Sequence, residues 1–508
     1  MRFRMRLDVD FLSEAELERV FQAALRVRRQ VPFRIQGTDE FLDYLRRFGC
    51  EISGELVRFP EPVIEKTLAR IRENKARWLA SNAEREPGGL PADYTLASAP
   101  FTFTRITRNW PGSEITMYTH GQSLLACDME TNQLRPAKEA DLVQWCHVVD
   151  ALDNVSRSHP TFIPTDVPSG SSDFHAFATI ILNSRQPWRV SVYSVKMLPY
   201  FIEACAIAKG SLEAVKKDPV FATKMWVNSP FMITRENVEI AMEGRRRLGV
   251  PITPGVMPVA GAATPVTVAG ALTQTTAECL GLCAISLAVD DRLTGISSGA
   301  LVLDMRAASH RQSGPDVELH RMAAMQMNAY LFGGRFTIPG WNTSAQVVSP
   351  QALYEKALGT ALGVAGGERS IGIGSLACSD VGSLVQLMLD YEMGLFFKHL
   401  FREVKVDEKR IGEEVILNTA PRGAYYLDTD HTARFFREEM WLSQLMDFRN
   451  PLGWMKDPSD MIARAREKAR QMVKTARNQC PLSEAQKAEI RRLVAAADKE
   501  AAGTGRRS

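Results

Sequence analysis

Nothing in this 508-residue sequence reads as a membrane span, because no run of about 18 apolar residues occurs. The opening residues carry Arg2, Arg4 and Arg6 and lack the apolar stretch of a secretory leader, so export is not expected. Charge of one sign is equally scarce. The 62 Lys and Arg stand against 59 Asp and Glu, and a formal net charge of +3 supplies no field for nucleic acid or an anionic membrane. The basic ends, Arg2 to Arg6 and Arg506 with Arg507, read as solvated tails. Eight cysteines are scattered from Cys50 to Cys480 with no Cys-x-x-Cys pair, so reduced thiols in a cytoplasmic protein are the simplest reading. No His-Glu-x-x-His and no spaced Cys and His ligand set is present, which disfavours a zinc-thiolate route. No Gly-x-Gly-x-x-Gly turn follows the first strand of the repeated units, and Gly366-Gly367 before Glu368 lacks phosphate-loop spacing, which disfavours a doubly wound nucleotide-binding sheet.

What is present is an ordinary globular balance, 45% hydrophobic and 24% charged, sufficient for a large core. Ser13 and Glu16 open an apolar pattern of helical period over 13–30, and helices over 38–48 and 60–78 flank a short alternation from Ile52 to Phe59. We read 1–90 as a helical module, a scaffold or interaction element, and expect a homo-oligomer. Residues 94–128 alternate Thr and aromatics around Pro111 and Gly112, which predicts an antiparallel strand extension that with a lead-in helix fills 91–150. From 151 to 455 short β-prone segments alternate with helical ones. Strands are predicted at 155–162, 188–194, 225–232, 252–259, 293–303, 335–341, 370–376 and 423–427. Helices are predicted at 172–184, 196–208, 235–248, 265–289, 315–332, 350–365 and 382–402. Eight strands in this rhythm predict an α/β fold, a (β/α)8 TIM barrel, followed by a peripheral helical tail over 456–508.

In such a barrel reactive groups sit at the C-terminal ends of strands. That rule selects Ser158, His159 and Thr161, then Tyr193 and Ser194, Asn228, Ser229 and Phe231, Met257, Asp304, Arg306 and His310, Trp341 and Asn342, Ser375, Cys378 and Asp380, and lastly Asp428, Asp430 and His431. Aromatic groups stand out beside them: Tyr193, Trp226, Phe231, Phe336 and Trp341. A quaternary ammonium ion cannot donate a hydrogen bond and is held instead by π faces, each contributing about 0.5–2 kcal/mol, while a nearby Arg or His can hold a carboxylate tail. Core packing is the bland alternative for any one aromatic. Trp341 is set apart by its loop-like text, Pro339-Gly-Trp-Asn342. The substrate-binding set expected on these grounds is Tyr193, Trp226, Asn228, Phe231, Met257, Asp304, Arg306, His310, Trp341, Ser375, Cys378 and Asp380. Cys378 reads as an inert thiol or a reactive one, Asp380 as a helix cap or a pocket group, and His431 as an anchor for the helix after it.

The text Thr131-Asn-Gln-Leu-Arg-Pro-Ala-Lys-Glu-Ala-Asp-Leu142, Ser229-Pro-Phe231, Pro258-Val-Ala-Gly-Ala-Ala-Thr-Pro-Val-Thr-Val-Ala-Gly270, Asp304-Met-Arg306 and Tyr426-Leu-Asp-Thr-Asp-His431 resembles the trimethylamine methyltransferase superfamily, out to about residue 455. In the trimethylamine enzymes of that family a pyrrolysine stands in text similar to Gly374-Ser375-Leu376-Ala377, where this chain has ordinary residues. The resemblance therefore implies the non-pyrrolysine branch, methyltransferases that demethylate quaternary amines such as glycine betaine, proline betaine or carnitine. The implied acceptor is Co(I) of a corrinoid (cobalamin-type) cofactor carried by a partner protein. It implies positioning and desolvation, with no side-chain nucleophile and no metal bound by the chain itself. Three other readings stay open: a barrel enzyme using Asp304, Asp380 or His310 as acid and base on a small anionic or sugar-like substrate, a non-catalytic betaine-binding protein, and a mainly structural barrel serving as a subunit through its N-terminal helices and C-terminal tail.

Overall fold

The computed structural model describes residues 10–83, 115–155, 160–185, 188, 190–218, 221–222, 224–293, 297–334, 341–366, 368, 370–402 and 404–504. The N-terminal module forms as its caps predict. Helix Glu14–Gln30 opens on a reciprocal capping box between Ser13 and Glu16. Helices Asp39–Phe48 and Glu61–Ala83 follow. Between them lies a small sheet that also takes in a strand from far along the chain: Phe33–Ile35 pairs antiparallel with Leu56–Arg58 and parallel with Met232–Ile233. The module is therefore stitched into the body. At that seam the Arg28 guanidinium stacks 4.7 Å from the ring centres of both Phe33 and Phe59, and burial lowers its pKa to about 10.

The body is an α/β assembly of parallel strand pairs with helices between them. Lys224–Val227 pairs with Thr253–Val256, which pairs with Ser297–Ser298. Val190–Ser191 pairs with Phe221–Ala222, and Met117 bridges Val155. Every predicted helix from 172 to 402 is present, from Ser172–Asn183 to Leu384–Leu400. Helix Val268–Asp290 is long and apolar enough to cross a membrane by length and composition, but 83% of its most apolar window is buried inside the protein. Its sixteen buried residues serve the core, where each large aliphatic contributes about 1.5–3 kcal/mol.

Three strand expectations are corrected. Thr116–Thr119 is not part of an antiparallel extension: it pairs parallel with Ser370–Ile373. All eight residues are buried, as a strand covered on both faces requires. Residues 423–427 form turns and no strand, because their Tyr and Leu side chains stand in solvent with no ladder to join. The stretch 293–303 splits. Ser297–Ser298 pairs in parallel with Thr253–Val256, and Leu301–Asp304 forms a separate strand that pairs in parallel with Val259–Ala260 and makes a hairpin with Ser309–Arg311. Phe336 and the rest of 335–340, with all of the 94–114 stretch, lie outside the described residues. The C-terminal tail is helical, and both helices are anchored: Ala465 and Ala469 of Met461–Thr475 and Ile490 and Ala497 of Glu484–Thr504 are buried.

Candidate functional site

Strand alternation decides which way each side chain points. Met225 and Val227 join the core of helix Arg235–Leu248, so Trp226 between them faces the opposite side. There it lies across its register partner Gly255, where a Cβ would stand 2.7 Å from the indole. The same device recurs elsewhere in the body. Met117 faces helix Leu384–Leu400, close against Gly394, and its neighbour Tyr118 turns away, beside Gly372. A Cβ at Gly372 would meet both His120 and Trp341 at 2.6 Å. Two glycines thus give two indoles their seats.

Trp341, His120 and Tyr118 form one aromatic group. The rings of His120 and Trp341 are 3.9 Å apart between centres, and Tyr118 stands edge-on to Trp341 at 5.5 Å. A polar cluster completes it. Ser375 Oγ lies 2.8 Å from His120 Nε2, and Ser379 Oγ donates to Asn342 Oδ1 at 3.2 Å, while Asn342 Nδ2 donates to Gln312. Thr161 Oγ1 and Trp341 Nε1 are buried without a protein partner among the described residues. Buried donors of that kind cost about 1–3 kcal/mol unless something satisfies them.

The loop carrying Ser379 is strained and firmly held. Ala377, Cys378 and Ser379 are consecutive left-handed residues, φ 47, 58 and 79°, a conformation that costs of order 1 kcal/mol or more each. The Ala377 and Cys378 N–H groups donate to the Ala345 and Thr343 carbonyls, and Ser123 Oγ donates to the Ser379 carbonyl at 2.8 Å. Beneath the loop is a fully buried ion pair, Lys356 with Asp390 at 2.8 Å. Asp390 also accepts the Gly374 N–H at 2.7 Å and the Gln386 side-chain amide at 2.7 Å. Burial pushes the Asp390 carboxyl up and Lys356 opposes it. The pair fixes the end of the last strand.

Of the residues selected from sequence, Trp341, Asn342 and Ser375 fall in this cluster, with Cys378 beside it, and Trp226 occupies a separate seat against Gly255. The Cys378 Sγ is within reach of the His310 carbonyl at 3.7 Å, and burial pushes its thiol up, which favours the inert form. Tyr193 follows the strand Val190–Ser191, and its phenol is pushed up to about 12 by desolvation and by Asp173. Met257 follows Thr253–Val256 and is exposed. Asn228 pairs with Met232 through the backbone.

Four selections are corrected. Phe231 is buried against Phe33, ring centres 5.5 Å apart, with Arg28 over it, in the N-terminal seam. Asp304 and Arg306 pair with each other at 2.8 Å on the hairpin turn, and this pairing holds Asp304 well below the usual carboxylate range. Asp380 is exposed, and the cap of helix Leu384–Leu400 is Ser383, which accepts the Gln386 N–H. The text Gly295-Ile-Ser-Ser-Gly299 fits the spacing of a serine-hydrolase elbow, but Ser297–Ser298 lies within a paired strand with no helix after it. Ser158 and His159 lie outside the described residues. His120 was not selected, because its segment was read as an antiparallel extension; the strand-end rule applied to Thr116–Thr119 finds it.

A parallel α/β body, with aromatic and neutral polar side chains collected where strands end, is the architecture of an α/β enzyme. Residues 92–502 match the trimethylamine methyltransferase (MTTB) family, and the chain belongs to it and is a methyltransferase. It is 22% identical over 412 residues to trimethylamine methyltransferase MttB of Desulfitobacterium hafniense, covering 78% of this chain and 81% of that one. It is 22% identical over 474 residues to MttB2 of Methanosarcina mazei, covering 92% and 91%. The monomethylamine methyltransferase MtmB of Methanosarcina barkeri superposes with a TM-score of 0.40 at 11% identity, over 91% of this chain and 93% of that one.

Proposed function

We propose that this methyltransferase takes its methyl group from a quaternary amine, betaine- or carnitine-like, and passes it to Co(I) of a corrinoid carried by a partner protein. The observation that carries the reading is the pair of glycine-seated indoles, Trp226 and Trp341, with Tyr118 and His120 beside the second. π faces suit a cation that has no N–H to donate. The parallel pairs, from Thr116–Thr119 through Ser297–Ser298 to Ser370–Ile373, fit eight strands closed into a barrel, with the last strand returning to the first. In such a closure both indoles would face the barrel interior.

The unpartnered donors Thr161 Oγ1 and Trp341 Nε1, with Ser379 Oγ and His120, would satisfy the carboxylate of such a substrate. The corrinoid supplies a strongly nucleophilic cobalt that accepts the methyl carbon. Around the mouth Val266 and Met305 are exposed, both within 3.6 Å of the Cβ position of Gly261, an apolar rim suited to a flat macrocycle. When the C–N bond breaks its electron pair stays on nitrogen, so the product is a neutral tertiary amine that needs no proton. Side chains here bind, orient and exclude water. Ordinary residues over Gly374 to Ala377, in a chain with no pyrrolysine, support the non-pyrrolysine branch. The acid–base alternative finds no support at Asp304, whose carboxylate is paired with Arg306 on the hairpin turn. Purified protein mixed with Co(I)-cobalamin and a panel of betaines, carnitine and choline is expected to form methylcobalamin from at least one of them. No methylcobalamin across the panel would remove the proposal.

A further inference from the structure

Helix Val268–Asp290 buries a carboxylate that the proposed chemistry does not use. Glu278 is fully buried, and burial raises its carboxyl above the ordinary value. A carboxylate in apolar surroundings is costly unless its oxygens are bonded. Here both are. One accepts the Phe231 N–H at 2.9 Å and the Gln274 side-chain amide at 3.3 Å, and the other accepts the Ser229 hydroxyl at 2.8 Å. Phe231 and Ser229 belong to the tight turn that follows the strand Lys224–Val227, closed by Asn228 and Met232 through two backbone bonds. Within that turn Phe231 is left-handed, φ 54°, a strained state for an aromatic residue. The strained residue is the one whose N–H Glu278 takes, while the Arg28 guanidinium lies over its ring at 5.5 Å.

The same carboxylate reaches a second turn through Gln274. The Gln274 side-chain amide, one helical turn before Glu278, also donates to the Ala263 carbonyl at 2.8 Å. Ala263 lies in the turn after Val259–Ala260, on the chain that leaves the strand Thr253–Val256. The two turns therefore follow the two strands that make the Trp226 seat, where Trp226 and Gly255 are register partners and the indole fills the space a Cβ would need. We propose that Glu278 is a positioning residue, which sets the Trp226 indole by bracing the turns after both strands of its seat. The consequence for substrate rests on the reading of Trp226 as a π face for a quaternary cation; the bracing itself does not.

The test uses the full chain labelled with 5-fluorotryptophan, with the Trp226 and Trp341 fluorine signals each assigned by its loss in the Trp→Phe variant. Glu278→Met is close in size and removes the acceptors. It should shift or broaden the Trp226 signal while leaving the Trp341 signal in place, and the amides of 228–231 and 261–264 should exchange about tenfold faster or more. Glu278→Gln can still accept the Phe231 N–H and donate to the Ser229 hydroxyl, so it should hold the Trp226 signal near its wild-type position. Ser229→Ala removes one bond at a partly exposed turn, guards against a folding failure in Glu278→Met, and should move the same signal by less. In methyl transfer from a quaternary amine, Glu278→Met should raise KM about fivefold or more with kcat changed less. A Trp226 signal unmoved in both Glu278→Met and Ser229→Ala overturns the proposal. So does an equal disturbance of Trp226 and Trp341, or a Gln variant as disturbed as the Met variant. A moved Trp226 signal with unchanged KM would overturn the substrate role of that indole and leave the bracing intact. Failure of every amine to donate a methyl group would remove the proposed function, and the fluorine spectra would still decide what Glu278 does.

Discussion

Trp341 and Leu427 are both large apolar side chains beside irregular backbone, yet one is 5% exposed and the other 85%. Around Trp341 everything is committed. Gly372 clears its seat, His120 and Tyr118 fix its ring, and the buried Lys356–Asp390 pair fixes the strand end beside it. Around Leu427 the described residues supply only local turn bonds, from the Thr429 N–H and hydroxyl to the Tyr426 carbonyl. The contrast teaches that exposure here follows architecture more than residue type. The aromatic group around Trp341 is packed and held in place, whereas the segment carrying Leu427 stands in solvent.

The comparison breaks first if the mouth is not rigidly supported. Asp390→Asn leaves Lys356 charged and buried, and should cost about 3–5 kcal/mol in chemical denaturation. A loss under 1 kcal/mol would mean the pair does not hold the strand end. Gly372→Ala forces a Cβ into Trp341 and His120, and is expected to lower kcat/KM by on the order of a hundredfold, measured by methyl transfer, with the melting temperature reduced less than in Asp390→Asn. Trp226→Leu sharpens the assignment of the second indole. KM for a quaternary amine should rise by about tenfold, the worth of one good cation–π contact, with kcat little changed. An unaltered KM would return Trp226 to core packing. The smallest effect belongs to Arg306→Ala. This guanidinium is on the hairpin turn, where a solvent-exposed ion pair contributes little, so turnover should stay within about twofold and the melting temperature should not move measurably. A severe loss of turnover would restore Arg306 to the pocket.

Much of this was legible in the sequence, because caps and helical periods are local signals. Ser13 with Glu16 marked the first helix, and Thr267, which caps Val268–Asp290, lay within a helix already expected. Strand partners are not local. Thr, Tyr and Met alternating over Thr116–Thr119 read the same whether the strand edges an antiparallel flap or pairs in parallel with Ser370–Ile373, 254 residues away in register. That single ambiguity hid His120. The tyrosines and leucine near 425 carried β-propensity without any neighbour to pair with, so the segment remained in turns. Phe231 was misassigned for a related reason: the chain turns at Asn228 and delivers Met232–Ile233 to the N-terminal sheet, a pairing that no spacing within the segment announces. Ser375 follows the strand Ser370–Ile373, which its own text announced, and lies against His120, whereas the strand expected before Trp341 lies outside the described residues.

The most direct measurement compares glycine betaine with trimethylamine as methyl donors to Co(I)-cobalamin on the same enzyme preparation. Formation of methylcobalamin from the betaine, with little from trimethylamine, is expected if the mouth holds a quaternary cation and its carboxylate. Turnover of trimethylamine without turnover of any quaternary amine would contradict it.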